Sequence, residues 1–204
     1  MNTELRKSEI ETSANQYAGS IIAGWENLLD RKRAELYQRL GPYVSKGSAL
    51  EMGCADGRMT RYLCRDFSQV DVLDASRLFL DQVGGDPLCA KATLHETFFE
   101  DWKSERRFDA IFLTHILEHL PDPVAVLRRA SQWLAPEGRL LVAVPNANSL
   151  NRLVGVKMGM LEAKDSLNTQ DIELGHLRVY TPELLKHHVE TAGLLVASKG
   201  GVML

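Results

Sequence analysis

The sequence predicts a doubly wound α/β protein with a mostly parallel sheet, and three observations predict it. Apolar runs at Ala49–Met52, Val70–Asp74, Phe108–Thr114 and Leu140–Val144 alternate with segments of helical periodicity. The runs are almost continuously apolar, as in strands covered on both faces, and do not alternate as in a sheet with one wet face. The first run also leads straight into a turn of small residues and then a helical pattern, a strand–turn–helix suited to holding a nucleotide.

Taken in order, residues 2–40 carry two helical stretches, with Ile21, Ile22, Trp25, Leu28 and Leu29 at helical spacing, and Gly41-Pro42 breaks the second. Strand Ala49–Met52, helix Met59–Asp66, strand Val70–Asp74, helix Arg77–Val83 and a weak strand at Ala92–His95 follow. Strand Phe108–Thr114 precedes helix Val124–Leu134, and Pro136-Glu137-Gly138 forms a turn before strand Leu140–Val144. Helix Pro182–Ala192 and strand Leu194–Ser198 close the pattern. The stretch from Asn146 to Arg178 is too long for a plain connection, and such insertions usually carry function. A chain of 204 residues with 45% hydrophobic content buries one sizeable core. The expected organisation is a helical N-terminal lid over residues 1–45 and a core over 46–204 with a pocket-forming insertion at about 146–180.

Charge and composition exclude several classes. A net charge of −3 gives no basic footprint for nucleic acid. The three cysteines, Cys54, Cys64 and Cys89, form no CxxC pair and no disulfide framework, which fits a reducing, cytoplasmic setting. No apolar run approaches the roughly 18 residues of a membrane span.

The turn reads Glu51-Met52-Gly53-Cys54-Ala55-Asp56-Gly57. A dinucleotide fold requires Gly-x-Gly-x-x-Gly, with the last glycine allowing close helix–strand packing, and here Arg58 stands in that place. The pattern present, acidic-x-Gly-x-Ala-x-Gly, resembles motif I of the class I S-adenosylmethionine (SAM) dependent methyltransferases, with Ala55 where a middle glycine is usual. The resemblance implies a Rossmann-like methyltransferase fold in which Glu51, Gly53, Ala55 and Gly57 cradle the methionine end of SAM. Asp74 ends the second strand 17 positions past Gly57, close to the roughly 20 at which a carboxylate takes ribose hydroxyls. Ala75 lies beside it. Asp71 competes but falls inside the strand, and Asp74 also suits capping of the helix that begins near Ser76. By the same resemblance Phe99 and Glu100 contact the adenine. Asp101 would serve as well, and Phe98-Phe99 also reads as core.

Thr114-His115-Ile116-Leu117-Glu118-His119-Leu120-Pro121-Asp122-Pro123 resembles the segment after the fourth strand of small-molecule methyltransferases. That likeness implies Thr114 and His115 beside the methionine and methyl group, Leu117 facing the cofactor, and Glu118-His119 stabilising the turn. His115-x-x-Glu118-His119 also matches a zinc signature. That signature needs an uninterrupted helix and a distant third ligand, whereas this segment follows a strand directly and stops at Pro121, so no metal is expected. Gly175-His176-Leu177-Arg178-Val179-Tyr180-Thr181-Pro182 resembles the segment that forms the acceptor pocket in sugar and secondary-metabolite methyltransferases. Asn146, His176, Arg178 and Tyr180 are then the substrate contacts. Arg178 alternatively pairs with Glu183, and Thr181 reads as the cap of the helix that Pro182 opens. His187 and His188 read as surface or packing residues.

The resemblance implies methyl transfer to an oxygen or nitrogen of a small molecule, yielding S-adenosylhomocysteine, with His115 or His176 as the base for a hydroxyl. Two alternatives stand beside it: a non-catalytic SAM- or nucleotide-binding module, and a protein methyltransferase. Tyr17 and Trp25 belong to the expected lid. After a turn at Lys199-Gly200-Gly201 only Val202-Met203-Leu204 remain, too few for a final strand of about five or six residues. A shortened sheet with an unpaired edge, and a homodimer joined there, are the expectations.

Overall fold

A computed structural model of the chain describes residues 3–20 and 26–202. Ile21, Ile22 and Trp25 lie outside the described residues, as do the side chains of Leu28 and Leu29. The chain divides into two compact units: residues up to Leu113 with Trp133–Leu141, and Thr114–Gln132 with the chain from Val142 onward.

The first unit carries the sheet except for Thr114, Val142 and Ala143 at two strand ends. Its strands are β1 (Ser48–Met52), β2 (Gln69–Asp74), β3 (Ala92–Glu96), β4 (Phe108–Thr114) and β5 (Leu134–Ala143), in the order β3-β2-β1-β4-β5. β1 pairs parallel with both β2 and β4, and β2 pairs parallel with β3. Central β1 buries Ala49, Leu50 and Met52 completely, and β4 does the same with Ala110, Ile111, Phe112 and Leu113. That double-sided burial is why these strands read as unbroken apolar runs. Strand order reverses between β1 and β4, and in open α/β sheets the crevice beyond the carboxyl ends at that switch is where ligands bind.

The helices follow their sequence signals. α1 (Thr3–Ser20) and α2 (Glu26–Leu40) precede the sheet. α3 (Arg58–Asp66) buries Met59, Thr60, Leu63 and Cys64, one stripe at helical spacing. Ser76 caps α4 (Arg77–Gly84) by accepting the Phe79 N–H at 3.3 Å.

In the second unit Asp122 caps α5 (Pro123–Ser131) and Thr181 caps α8 (Pro182–Thr191), each with proline in the first turn, where a missing N–H costs nothing. α6 (Leu150–Lys157) and α7 (Thr169–Glu173) fill the long segment flagged as an insertion. The short α7 is closed by a reciprocal cap between Asn168 and Asp171.

Two expectations fail. The Pro136-Glu137-Gly138 turn is a kink inside β5, with Glu137 at a left-handed φ of 62°. The Phe108 N–H donates to the Trp133 carbonyl and the His115 N–H to the Ala143 carbonyl, both at 2.8 Å. His115 lies seven residues past Phe108 while Ala143 lies ten past Trp133, so β5 holds three residues more than β4 over the same run. A kink absorbs that surplus. The strand read at Leu194–Ser198 does not form: Gly193, just past the end of α8, takes a left-handed turn, and among the described residues those that follow have no partner strand. Leu195, 93% exposed, gains nothing by lying extended there. Among the described residues no helix is long and apolar enough to cross a membrane.

Candidate functional site

In the first unit the turn after β1 takes a shape most residues avoid. Gly53, Ala55 and Gly57 all have left-handed φ values, 83°, 44° and 75°. At Gly57 a β-carbon would also stand 3.0 Å from Val83 Cγ2 of α4, so a side chain there would crowd that contact. The Gly53 N–H donates to the Leu73 carbonyl at 2.7 Å and the Gly57 N–H to the Cys54 carbonyl at 2.9 Å, which closes the turn.

Asp74 anchors this turn. Its Oδ2 accepts the Cys54 N–H at 2.9 Å and its Oδ1 the Ser76 N–H at 2.9 Å, while Cys54 Sγ lies 3.4 Å away. Burial raises its pKa against the pull of those donors. The carboxylate thus ties the glycine turn to the start of α4. Ala75 sits between the two anchored segments.

Glu51, fully buried in β1, accepts the Thr60 hydroxyl at 2.6 Å through Oε2, and its Oε1 has no hydrogen-bond partner. Burial pushes its pKa up to about 8. A raised carboxylate pKa gives stability that is complete below about 4.5 and is lost as pH rises through about 8. Asp74 acts in the same direction, whereas His119 and His188, lowered by burial, act oppositely below their ordinary range. Comparing Glu51→Gln with the natural chain isolates Glu51. The variant is expected to gain relative stability between pH 5 and pH 8, by on the order of a few kcal/mol, in urea unfolding. Parallel stability profiles would show that Glu51 is charged in the folded protein throughout.

α1 docks beyond the ends of β2 and β3. Glu11 accepts the Ser76 hydroxyl at 3.0 Å and the Arg77 N–H at 2.5 Å, Lys7 pairs with Glu96 at 2.8 Å, and Arg6 pairs with Glu100. The Arg6 guanidinium also lies 4.1 Å from the centre of the buried Phe98 ring, and Tyr17 meets Phe79 edge-on. Phe98 is therefore core, and Phe99, the neighbour assigned to adenine, is only partly buried.

The second unit brings histidines together. His115 has a left-handed φ of 60° and a side chain 42% exposed, just after the buried Thr114. Residues 115–119 form a turn and not a helix. The Leu177 N–H donates to the Glu118 carbonyl at 2.8 Å, which brings His176 against His119 with ring centres 4.8 Å apart. His176 Nδ1 lies 3.1 Å from Asp171 Oδ1, and Arg152 holds the other Asp171 oxygen at 3.0 Å. This carboxylate–imidazole pair leaves His176 Nε2 as the free nitrogen. Sequence reasoning missed Asp171 and Arg152; the Asn168-x-x-Asp171 capping pattern was the available signal for α7.

The remaining substrate candidates have structural partners. Arg178 donates to the carbonyls of Leu117 at 2.9 Å, Pro121 at 3.3 Å and Leu120, clamping the 117–121 turn in place of a pairing with Glu183. Tyr180 is buried, with its hydroxyl 3.1 Å from His188 Nδ1. Asn146 bridges Tyr180 through the backbone, and its Oδ1 accepts the Asn148 N–H at 2.9 Å.

A parallel α/β sheet with a left-handed small-residue turn at its switch point defines a nucleotide-cofactor protein of the doubly wound class. Residues 25–199 match a methyltransferase domain family, and the chain belongs to that family. It is 28% identical to the ubiquinone biosynthesis O-methyltransferase of Aeromonas salmonicida, over 75% of this chain and 65% of that protein. It is 31% identical to the trans-aconitate 2-methyltransferase of Methylobacterium radiotolerans, over 62% of this chain and 48% of that one. The chain thus spans about half to two thirds of the length of these relatives. Among solved structures, a DhpI–SAM–HEP complex superposes with a TM-score of 0.67 at 22% identity, covering 93% of this chain and 88% of that one. The [4+2]-cyclase SpnF superposes with a TM-score of 0.61 at 18% identity, covering 84% of this chain and 59% of that one, so the fold alone does not specify the reaction.

Proposed function

We propose that the chain transfers a methyl group from SAM to an oxygen of a small molecule, a nitrogen acceptor being the second choice. The carrying observation is the left-handed Gly53–Gly57 turn tied down by Asp74. Family membership supports the reaction class, and O-methyltransferases among the relatives favour oxygen. SAM, when bound, supplies a methyl group already activated on a sulfonium, and S-adenosylhomocysteine remains as product.

What the residues contribute is placement and proton handling. Gly53, Ala55 and Gly57 expose backbone at close range, Glu51 holds a carboxyl oxygen without a hydrogen-bond partner behind them, and Asp74 with Ala75 offers the ribose contact. Phe99 and Glu100 remain the adenine side of the proposal, with α1 and Tyr17 as the covering lid. Thr114, the last residue of β4, and His115 after it are further cofactor-side residues. Asn146, His176, Arg178 and Tyr180 shape the acceptor side, the last two by fixing the 117–121 turn. His115 and His176 are the candidates to accept a hydroxyl proton, and Asp171 sets the His176 tautomer. A net negative chain suits a small acceptor over nucleic acid. A cytoplasmic location, and a homodimer joined at the outer edge of β5, complete the proposal.

Labelled SAM with a panel of hydroxylated and amine acceptors tests the reaction, beside calorimetric SAM titration. Asp74→Ala is expected to weaken SAM by roughly 1–3 kcal/mol, through the lost ribose contact and the loosened turn. Asp74→Asn, which retains an acceptor oxygen, loses less. Unchanged affinity in Asp74→Ala would move the ribose contact elsewhere, and a chain that neither binds SAM nor labels any acceptor would overturn the reading.

A further inference from the structure

The Glu118 side chain is wholly buried, and neither of its oxygens has a hydrogen-bond partner. His115 Nδ1 approaches Oε1 to 3.3 Å without forming a hydrogen bond. An isolated buried carboxylate is costly, and such groups normally pair or bind a metal. Around this one stand two imidazoles: ligand atoms of Glu118, His119 and His176 all lie within 4.8 Å of one another. The donor pattern is that of a metal centre. Metal-bound histidines typically give their second ring nitrogen to a carboxylate or backbone carbonyl, which fixes the tautomer. Here Asp171 takes His176 Nδ1, and the His119 ring bonds the Gly175 backbone.

We propose that Glu118, His119 and His176 bind a single divalent transition-metal cation of the zinc type, with His115 at the exposed side of the site. Two nitrogens and one carboxylate are the donor set of open zinc sites, while Mg2+ and Ca2+ favour all-oxygen shells. Tetrahedral ligands at 2.0–2.1 Å from an ion lie about 3.3 Å apart, so binding draws the three groups modestly inward. The sequence signature lacked its third ligand because His176 lies 57 positions beyond His119, and the fold supplies it through the Leu177–Glu118 backbone bond. An ion so held keeps open positions for an acceptor oxygen. His176 is then a ligand, and the base role falls to His115. The site stands on this geometry and is independent of the methyl-transfer reading.

The test uses the full chain, stripped with a chelator and titrated with Zn2+ by calorimetry and with Co2+ by visible absorption. One equivalent per chain is expected, with a Co2+ band that Zn2+ displaces and Mg2+ does not. Glu118→Gln and His176→Ala are expected to abolish the band, and Asp171→Asn to weaken binding roughly 10–100-fold. His187→Ala, outside the cluster, leaves binding intact. Zn2+ raises the thermal midpoint of the natural chain but not that of Glu118→Gln, whose metal-free form checks that the variant folds. Calorimetric SAM binding in the same preparation keeps failure here separate from failure of the cofactor reading. No binding, equal binding in all variants, loss only in His187→Ala, or displacement by Mg2+ would each overturn the assignment.

Discussion

Gly53→Val is expected to abolish SAM binding while leaving the far-UV dichroism native. Gly53 sits at φ 83°, a region that costs a β-branched residue dearly, and its N–H must still reach the Leu73 carbonyl at 2.7 Å. Valine therefore forces open the turn that the proposal places against the cofactor. The strands flanking the turn are held by the β1–β2 and β1–β4 ladders, which the substitution does not touch. The damage is local for that reason, and calorimetry should register no SAM heat in a chain whose spectrum is unchanged. Normal SAM affinity would make the turn merely structural and remove the main support for the cofactor reading. Global unfolding would instead mean that the strain is not contained.

Much of this architecture was legible in sequence because burial writes itself into composition. β1, β2 and β4 are covered on both faces, so each reads as an apolar run with bounds within a residue or two of those found. α4 and α8 were legible because Ser76 and Thr181 cap them by local rules, whereas α5 ends at Ser131, three residues short of the expected Leu134, which opens β5. The β5 kink was not, since its cause is a three-residue mismatch with β4, a tertiary fact. Leu194–Ser198 misled because β-propensity describes a side chain's fit to a sheet and says nothing about whether a neighbouring strand exists. At the candidate site, Asp74 was legible by its place at a strand end, but its backbone donors were not. The Asp171–His176 pair escaped because neither residue is informative alone. Arg178 was put at the acceptor pocket by the resemblance of its segment, and its partners are carbonyls, which leave no trace in side-chain identity.

If the acceptor is a hydroxyl, replacing the true base by alanine is expected to lower turnover roughly 100-fold while SAM affinity stays nearly constant. His115 and His176 are the two residues to test. His176 in the metal-free protein is the better oriented, because Asp171 holds Nδ1 and leaves Nε2 to receive the proton. Asp171→Asn should then lower turnover as well, since an amide can stabilise the wrong tautomer and cannot offset an imidazolium. His115 is the more exposed and carries no such orienting carboxylate bond; Glu118 approaches it without one. The pattern across the variants separates the roles. A loss confined to His176→Ala and Asp171→Asn in chelated protein assigns the base to His176. A loss in His115→Ala that persists with Zn2+ present assigns it to His115, as expected when His176 is a ligand. Full turnover in both alanine variants would eliminate histidine catalysis and leave a nitrogen acceptor, which needs only to be bound neutral.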